Sequence, residues 1–218
     1  MIKLIVCFLI TISIFISCNL SYADRDWEYW NLETFTYEIT DKISFVVLPE
    51  WRFKKDMSYK YLFKLETGVS FKINKFWEIT PYYVHQDKNT GVLWDGSEIS
   101  YLDNTFKFSL EKFFNTKISN RLRFQYDYDK AKTVFRNSLK FYKGFKIFGT
   151  QEIGPFISEE PFYDCKLDRI TEHRSSVGVG YTFNKNFSLN VGYMLNSKKP
   201  AGKWTYTNVL VSNLSIRF

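Results

Sequence analysis

The sequence predicts an all-β protein, an antiparallel up-and-down transmembrane β-barrel of ten to twelve strands with twelve favoured. Apolar and polar residues alternate with a period of two in segment after segment, as they do in strands that have one polar face. Aromatic residues make up 20% of the chain and charged residues 24%, while mean hydropathy is only -0.27. A barrel that is apolar outside, polar inside and ringed by aromatic girdles has this composition.

The first 23 residues have the three parts of a secretory signal peptide. Lys3 supplies the charged start, Leu4 to Ile16 the apolar stretch, and Ser21-Tyr22-Ala23 a small-x-small cleavage site. The apolar stretch is short for a membrane-spanning helix. We therefore expect residues 1–23 to be removed during export through the general secretory pathway, leaving a barrel domain of residues 24–218.

Cysteine usage fits an exported chain without disulfides. Cleavage after Ala23 leaves Cys165 alone, so no disulfide can form within the mature chain. We interpret Cys165 as an inert loop residue, with a reactive thiol as the alternative. A lipoprotein signal cut before Cys18 is also an alternative, although Phe15 is a poor residue at the important apolar position of such a site.

Eleven alternating segments follow one another along the mature chain. The expected strands lie near residues 28–39, 43–54, 59–73, 76–86, 99–113, 117–129, 133–143, 145–157, 171–183, 186–196 and 204–218. Bacterial single-chain barrels have even strand numbers, so we expect an error of one strand, for example a short pair hidden within residues 158–170. Short turns are expected at one rim and longer polar loops, at 87–97, 158–170 and 196–203, at the other.

The two faces of these strands differ in chemistry. In the third segment the face expected to lie outside carries Tyr59, Tyr61, Phe63, Leu65, Val69 and Phe71. The residues expected to face the lumen with a charge are Glu50, Arg52, Lys64, Glu66, Glu111, Arg121, Arg123, Arg136, Lys140, Glu152 and Arg174. They predict either an anion-selective pore or a lumen filled by ion pairs. A barrel of this size lies between the filled and open classes, and we favour a filled or narrowly open lumen.

The last strand runs to the end of the chain. Leu214, Ile216 and Phe218 lie on one face of this strand, and Phe218 is the final residue. A terminal aromatic residue of this kind resembles the C-terminal signal that the outer-membrane insertion machinery reads. The glycine usual upstream in that signal is absent here.

Four motifs are spread along the mature chain: Glu50-Trp51-Arg52, Arg121-Leu122-Arg123, Gly192-Tyr193-Met194 and the closing strand from Trp204 to Phe218. Together they resemble a bacterial family known only as domain of unknown function 2490. The strand near Arg174 reads His-Arg-Ser, where the family pattern has Asn-Arg-Leu. The resemblance covers most of the mature chain and implies an outer-membrane barrel with no established activity.

One short motif suggests catalysis as an alternative to a non-enzymatic barrel. His173 and Ser175 are two residues apart and so share a strand face, which resembles the His-x-Ser pair of outer-membrane phospholipase A and the lipid A deacylases. The Asn-Gly that follows the phospholipase serine is replaced by Ser176-Val177. Glu172 would point to the opposite face, so an orienting acid must come from another strand. We favour a barrel without enzymatic activity.

The remaining sequence features exclude several function classes. The net charge of +7 is dispersed rather than gathered into a nucleic-acid-binding stripe. The only histidines, His85 and His173, lie far apart, and the sequence predicts neither a metal site nor a cofactor. The expected partners are outer-membrane lipid, with the barrel assembly machinery and periplasmic chaperones during biogenesis, and the expected state is a monomer. A soluble periplasmic lipid carrier, with its apolar faces inside, is a further alternative.

Overall fold

The computed structural model describes residues 27–110 and 115–218. The strands are β1 (Trp27–Glu38), β2 (Ile43–Lys54), β3 (Tyr59–Lys72), β4 (Trp77–Asn89), β5 (Trp94–Leu110), β6 (Thr116–Asp127), β7 (Lys132–Lys143), β8 (Phe145–Lys146), β9 (Glu152–Asp164), β10 (Arg169–Asn184), β11 (Phe187–Lys198) and β12 (Thr205–Arg217). A 3₁₀ turn spans Pro200–Gly202. Within the described residues, no helix is long and apolar enough to cross a membrane. The predicted signal peptide, residues 1–23, lies outside the described residues.

Eleven of these strands close into a ring. Strands β1 to β7 pair in sequence, β7 pairs with β9, and β9 to β12 continue to β1. Strand β8 has two residues and pairs only with β9. The predicted β-barrel is therefore confirmed, with eleven strands in its wall and a twelfth beside it.

The ring closes through a parallel pair of strands. β1 and β12 run in the same direction, with a register from Trp27 opposite Asn208 to Thr36 opposite Arg217. Antiparallel neighbours alternate in direction, so the first and last of an odd number of strands must point the same way. The expected even number is thus not needed for closure. Trp27 and Phe218 consequently lie at opposite rims, which we call the N-terminal rim and the C-terminal rim.

Most of the predicted long loops are strand. In the segment 87–97 only the turn 90–93 separates β4 from β5, and in the segment 158–170 only the turn 165–168 separates β9 from β10. The strand expected at 145–157 is in fact β9 at Glu152–Asp164. These expectations were wrong because polar residues were interpreted as loop, whereas a barrel strand can carry polar residues along its inner face.

The barrel reverses the burial pattern of a soluble protein. Large apolar side chains on the outer face are exposed, among them Phe45, Leu102, Phe124, Phe135, Ile157 and Val191. Charged and polar side chains on the inner face are buried, among them Glu50, Arg123, Asp103 and Glu160. The predicted alternation is therefore present, with its polar side turned inwards.

A bulge interrupts the alternation at the start of β3. The pairing between β2 and β3 shifts between Arg52 and Phe53, and Tyr61 has no partner residue there. Tyr61 is buried, and its hydroxyl donates to Glu28 Oε2 at 2.7 Å. The expectation that Tyr61 shares the outer face with Phe63 is wrong, since a bulge turns the extra side chain to the other face.

The seam holds Phe218 by its backbone. Its N–H donates to Thr36 O at 2.9 Å, and its carbonyl accepts from Glu38 N–H at 3.2 Å. The ring of Phe218 is 64% exposed at the C-terminal rim. At this position β1 therefore supplies the backbone hydrogen bonds that water would otherwise make.

Candidate functional site

Charged side chains from seven strands form a continuous belt of ion pairs inside the barrel. We define this charge belt as Glu50, Arg52, Lys64, Glu66, Asp103, Arg121, Arg123, Arg136, Glu160, Glu172 and Arg174. Each residue projects inwards because it occupies an alternate position of its strand. Strand pairing then brings opposite charges from neighbouring strands side by side.

The first part of the belt runs across β2, β3 and β6. Arg52 Nε contacts Glu50 Oε1 at 2.5 Å. Lys64 lies opposite Glu50 and contacts its other carboxylate oxygen, and it also contacts Glu66 at 2.6 Å. Arg123 continues the belt from Glu66 at 3.4 Å. Each carboxylate in this part is therefore shared by two cations.

The second part continues across β5, β6, β7 and β9. Arg123 contacts Asp103 at 2.6 Å, and Arg121 lies 3.9 Å from the same carboxylate. Arg121 also contacts Glu160 at 2.7 Å, and Arg136 contacts Glu160 at 3.0 Å. Glu160 thus pairs with a cation of β6 and a cation of β7, and also with Arg174 of the neighbouring strand β10.

An indole ring joins the two ends of the belt. Arg174 contacts Glu172 at 2.7 Å and Glu160 at 3.6 Å. Its guanidinium carbon lies 4.8 Å from the centroid of Trp30, and that of Arg52 lies 3.5 Å from the same ring. Both arginines therefore make a cation–π contact with the same tryptophan, in addition to their ion pairs.

The belt satisfies charges that burial would otherwise make costly. An isolated ion in a low-dielectric interior loses its hydration, and only close opposite charges and hydrogen bonds compensate for that loss. Glu50, Glu66, Arg123 and Glu160 are each less than 10% exposed, and each has at least one ion pair. The arrangement can therefore hold the barrel wall together from inside through paired charges.

Two cavities lie in the lumen on the C-terminal side of the belt. The first, which we call the chamber, measures about 270 Å³ and lies against the belt and against Lys140, Phe156 and Asn190. The second, which we call the vestibule, measures about 580 Å³ and includes Lys72, Lys107 and Arg217 in its wall. Tyr82 lines both cavities.

Two apolar clusters lie on the other side of the belt, beside buried polar side chains such as Asn196 and Asn208. Val84, Ile99 and Tyr101 form one buried cluster towards the N-terminal rim. Met194 and Val209 form another with Trp30. Side chains therefore fill the described lumen at the N-terminal end, while the two cavities lie towards the C-terminal end.

The structure brings most of the predicted lumenal charges to one place. Nine of them line the chamber: Glu50, Arg52, Lys64, Glu66, Arg121, Arg123, Arg136, Lys140 and Arg174. Glu152 is buried apart from them near the C-terminal rim, where Lys117 contacts it at 2.6 Å. Glu111 lies outside the described residues.

Three acidic members of the belt were not predicted from the sequence. Glu160 falls in the segment interpreted as a loop, and Glu172 was considered only as a possible catalytic acid. Asp103 shares a strand face with Ile99 and Tyr101. From the sequence this face is therefore predicted to be apolar, and a buried charge is not expected there. Only the pairing of β5 with β6 brings Asp103 opposite Arg123.

The His-x-Ser motif acquires an acid on the outer surface. Ser175 lies directly opposite Glu159 of β9. Its hydroxyl donates to Glu159 Oε2 at 2.9 Å, and His173 Nε2 contacts the same oxygen at 2.9 Å. Serine and histidine are therefore linked through the carboxylate rather than to each other. The sequence could not reveal Glu159, because its segment was interpreted as a loop.

The described part of the chain contains one free cysteine and no cluster of metal ligands. Across residues 27–110 and 115–218, no group of three or more His, Cys, Asp and Glu side chains could hold a metal ion. Cys165 is a free, exposed cysteine in the turn between β9 and β10.

Sequence comparison gives the affiliation of the chain. The family model described as Protein of unknown function (DUF2490) matches residues 27–207. The chain belongs to this family. The DUF2490 match spans β1 to the first residues of β12, so it covers nearly the whole barrel wall. A search of curated proteins found no match. The family resemblance predicted from the motifs is thus confirmed, and the affiliation carries no activity with it.

Proposed function

We propose that this DUF2490 chain is an outer-membrane β-barrel whose role is structural or that of a narrow pore, without enzymatic activity. The observation that carries the proposal is the reversed burial pattern, with charges inside and large apolar side chains outside. Soluble monomers rarely expose contiguous apolar patches larger than a few hundred Å². Contact with lipid makes the same surface favourable.

Tryptophans near both rims support the membrane assignment. Trp27 begins β1 and Trp51 lies near the end of β2, both towards the N-terminal rim, while Trp77 begins β4 at the C-terminal rim. Tryptophan is enriched where a membrane protein meets the two interfaces. The partners proposed on this basis are outer-membrane lipid, the barrel assembly machinery and periplasmic chaperones. Leu214, Ile216 and Phe218 are proposed as the insertion signal.

The soluble carrier receives less support from the geometry. A carrier needs an apolar lumen to hold lipid, whereas the chamber is lined by Arg123, Arg136, Lys140 and Glu160 among others. A lipid chain in that chamber would leave these charges without water or new partners.

The belt favours a filled lumen over an open pore. Its ion pairs bridge seven strands, and the apolar clusters around Val84 and Val209 lie beyond it. An ion crossing the barrel would have to separate those pairs and pass those clusters. We therefore propose a barrel that is closed or that conducts only through a narrow path.

The first experiment is heat modifiability of the protein extracted from membranes in detergent. A compact band that shifts only after boiling supports a closed membrane barrel. A water-soluble protein without a shift would contradict it and favour the carrier. Planar-bilayer recording follows, with conductance well below that of a porin expected for wild type. A porin-sized conductance in wild type would contradict the filled lumen.

A lipid hydrolase is the second candidate, because Glu159 supplies the acid that the His-x-Ser motif lacked. Here His173 or Glu159 would accept the proton of Ser175 as its oxygen attacks an ester carbonyl, and the ester C–O bond would break as the alcohol leaves with that proton. Water would then hydrolyse the acyl-serine ester, which releases the fatty acid and restores the Ser175 hydroxyl. Esterase or deacylase activity of the purified barrel on phospholipid and lipid A tests it. Activity that is lost in Ser175→Ala and retained in Ser176→Ala would establish the enzyme, and inactivity of wild type would exclude it for those substrates.

A further inference from the structure

The chamber carries more positive than negative charge. The belt and Lys140 together present seven cations, while the belt has five carboxylates. Two positive charges therefore remain uncompensated within a lumen where charges interact more strongly than in water. An excess of positive charge in such a lumen favours the binding of an anion.

Lys140 lines the chamber but is not joined to the charge belt by an ion pair among the described residues. Among the described residues, no carboxylate lies within ion-pair distance of its ammonium group, which instead rests over the ring of Phe156, 4.1 Å from the centroid. Phe156 can occupy that position because Gly178 and Gly192 lie behind its ring. A Cβ on either glycine would come within 2.6 Å or 3.1 Å of Phe156 Cζ. The wall is thus shaped to hold Lys140 at the edge of the chamber.

Further hydrogen-bond donors surround Lys140. Ser158 lies opposite it on β9 and Ser119 opposite it on β6, so their hydroxyls share its inner face. The buried Nε atoms of Arg121 and Arg136 have no hydrogen-bond partner among the residues that the structure describes. Unpaired buried donors are rare and call for an explanation. Arg121, Arg136, Lys140 and Ser158 line the same chamber, so their donors face one space that an anion with several oxygen atoms would fill.

The vestibule offers such an anion a route to the chamber. Five cations line it, Lys72, Lys107, Lys117, Lys185 and Arg217, against the two carboxylates Glu38 and Glu78. A channel lined mainly by one sign of charge raises the local concentration of the opposite ion. Tyr82 lies where vestibule and chamber meet.

We propose that the chamber binds a small oxyanion of the phosphate class, held by Lys140 with Arg121, Arg136 and Ser158. Arginine and lysine donate charge-assisted hydrogen bonds to phosphate oxygens, and serine adds a neutral donor. The site goes beyond the proposed structural role and lies on the opposite face of the wall from Ser175. The phosphate group could belong to a free anion or to a lipid headgroup, and the chamber inside the wall favours the free anion.

Titration calorimetry of the detergent-purified full chain with inorganic phosphate tests the site. We expect binding by wild type, an affinity lowered about tenfold or more in Lys140→Met, and retention in Lys140→Arg. Lys203→Met changes the net charge equally on an exposed loop and should bind as wild type does. The heat-modifiable band shows whether each variant is folded, so loss of the barrel is distinguished from loss of the site.

The proposal would be overturned if folded wild type bound neither inorganic phosphate nor short-chain phosphatidic acid, or if Lys140→Met bound them as tightly as wild type does. A parallel titration with short-chain phosphatidic acid separates the two sources. Binding of phosphatidic acid alone, if it depends on Lys140, supports the phosphate site and assigns it to a lipid headgroup. Binding of inorganic phosphate assigns it to the free anion.

Discussion

Arg123 and Asp103 lie directly opposite each other on β6 and β5 and are joined by two hydrogen bonds. Nε donates to Oδ1 at 2.6 Å and Nη2 to Oδ2 at 2.7 Å, and both residues are less than 5% exposed. This bidentate pair is a central link of the charge belt. When Asp103 is removed, Arg123 keeps the longer contact to Glu66, at 3.4 Å, and its cation–π contact with Tyr101, 4.0 Å from the ring centroid.

The first prediction concerns the stability that this pair contributes. Asp103→Leu should lower the free energy of unfolding by about 3–5 kcal/mol, because a buried guanidinium loses its main partner. The double variant Asp103→Leu, Arg123→Leu should be less destabilised than the single variant, since no unpaired charge remains. Urea unfolding followed by tryptophan fluorescence measures both. Asp95→Leu, on the exposed end of β5, is the control; a loss there as large as at Asp103 would contradict a specific role for the pair.

The second prediction tests the parallel seam. In a Cys165→Ser background, Asn31→Cys with Ser212→Cys should form a disulfide, and so should Phe35→Cys with Ile216→Cys, because each pair is directly opposite. Both pairs can form only if the strands are parallel. If Asn31 faced Ser212 in an antiparallel pair, Phe35 would instead face Asn208. Crosslinking of Phe35→Cys with Asn208→Cys, seen by gel mobility without reductant, would therefore contradict the seam.

The third prediction compares two glycines of β10. A Cβ at Gly178 would meet Val191 O and come within 2.6 Å of Phe156 Cζ. A Cβ at Gly180 would meet the Asn190 Oδ1 atom, the end of a flexible side chain, at 2.6 Å. Gly178→Ala should therefore destabilise the barrel by about 1–3 kcal/mol, because the backbone cannot yield, and Gly180→Ala by clearly less. Unfolding midpoints of the two variants check the order, and equal losses would show that the close approach at Gly178 is not real.

The fourth prediction concerns a histidine on the β4–β5 hairpin. His85 Nδ1 lies 2.6 Å from Glu98 Oε1. This contact is at the level of the β6–β7 turn, because the backbone N–H of Tyr128 in that turn donates to the backbone carbonyl of Glu98. Hydrogen bonding to Glu98 raises the pKa of His85 above 6.5, and the charge of Asp87 acts in the same direction. NMR titration should show this raised pKa, and Glu98→Gln should lower it. His173→Asn assigns the two histidine signals.

The sign of the pH effect follows from that shift. Because the folded protein binds the His85 proton more tightly than the unfolded chain, the interaction stabilises the fold below the unfolded pKa. That contribution disappears as pH rises through the higher folded pKa. A His85 signal that titrates below 6.5 in wild type, or a pKa unchanged by Glu98→Gln, would contradict the contact.

The alternation of apolar and polar residues was sufficient to predict the fold class. A strand turns successive side chains to opposite faces, so a sequence such as that of residues 187–195 shows its own two faces without reference to any other strand. The same local pattern identified nine of the charges that line the chamber. It failed at Tyr61, where one extra residue in a bulge reversed the count.

The polar site on the outer surface could be predicted only in part from the sequence. His173 and Ser175 could be placed on one face from their spacing alone. Glu159 reached them only through the pairing of β9 with β10, in a segment whose polarity suggested a loop. A charge at a single position does not say whether it lies in a turn, on an inner face or on an outer face.

By itself, then, the sequence determined that the chain is a β-barrel of the DUF2490 kind with a charged inner face. Only the tertiary structure decided that eleven strands close through a parallel seam, that Asp103 and Glu160 complete the belt, and that Lys140 stays outside it. The reason is physical. The facing of a side chain follows from a period of two within one strand, whereas its partner depends on the register between strands that lie far apart in the sequence.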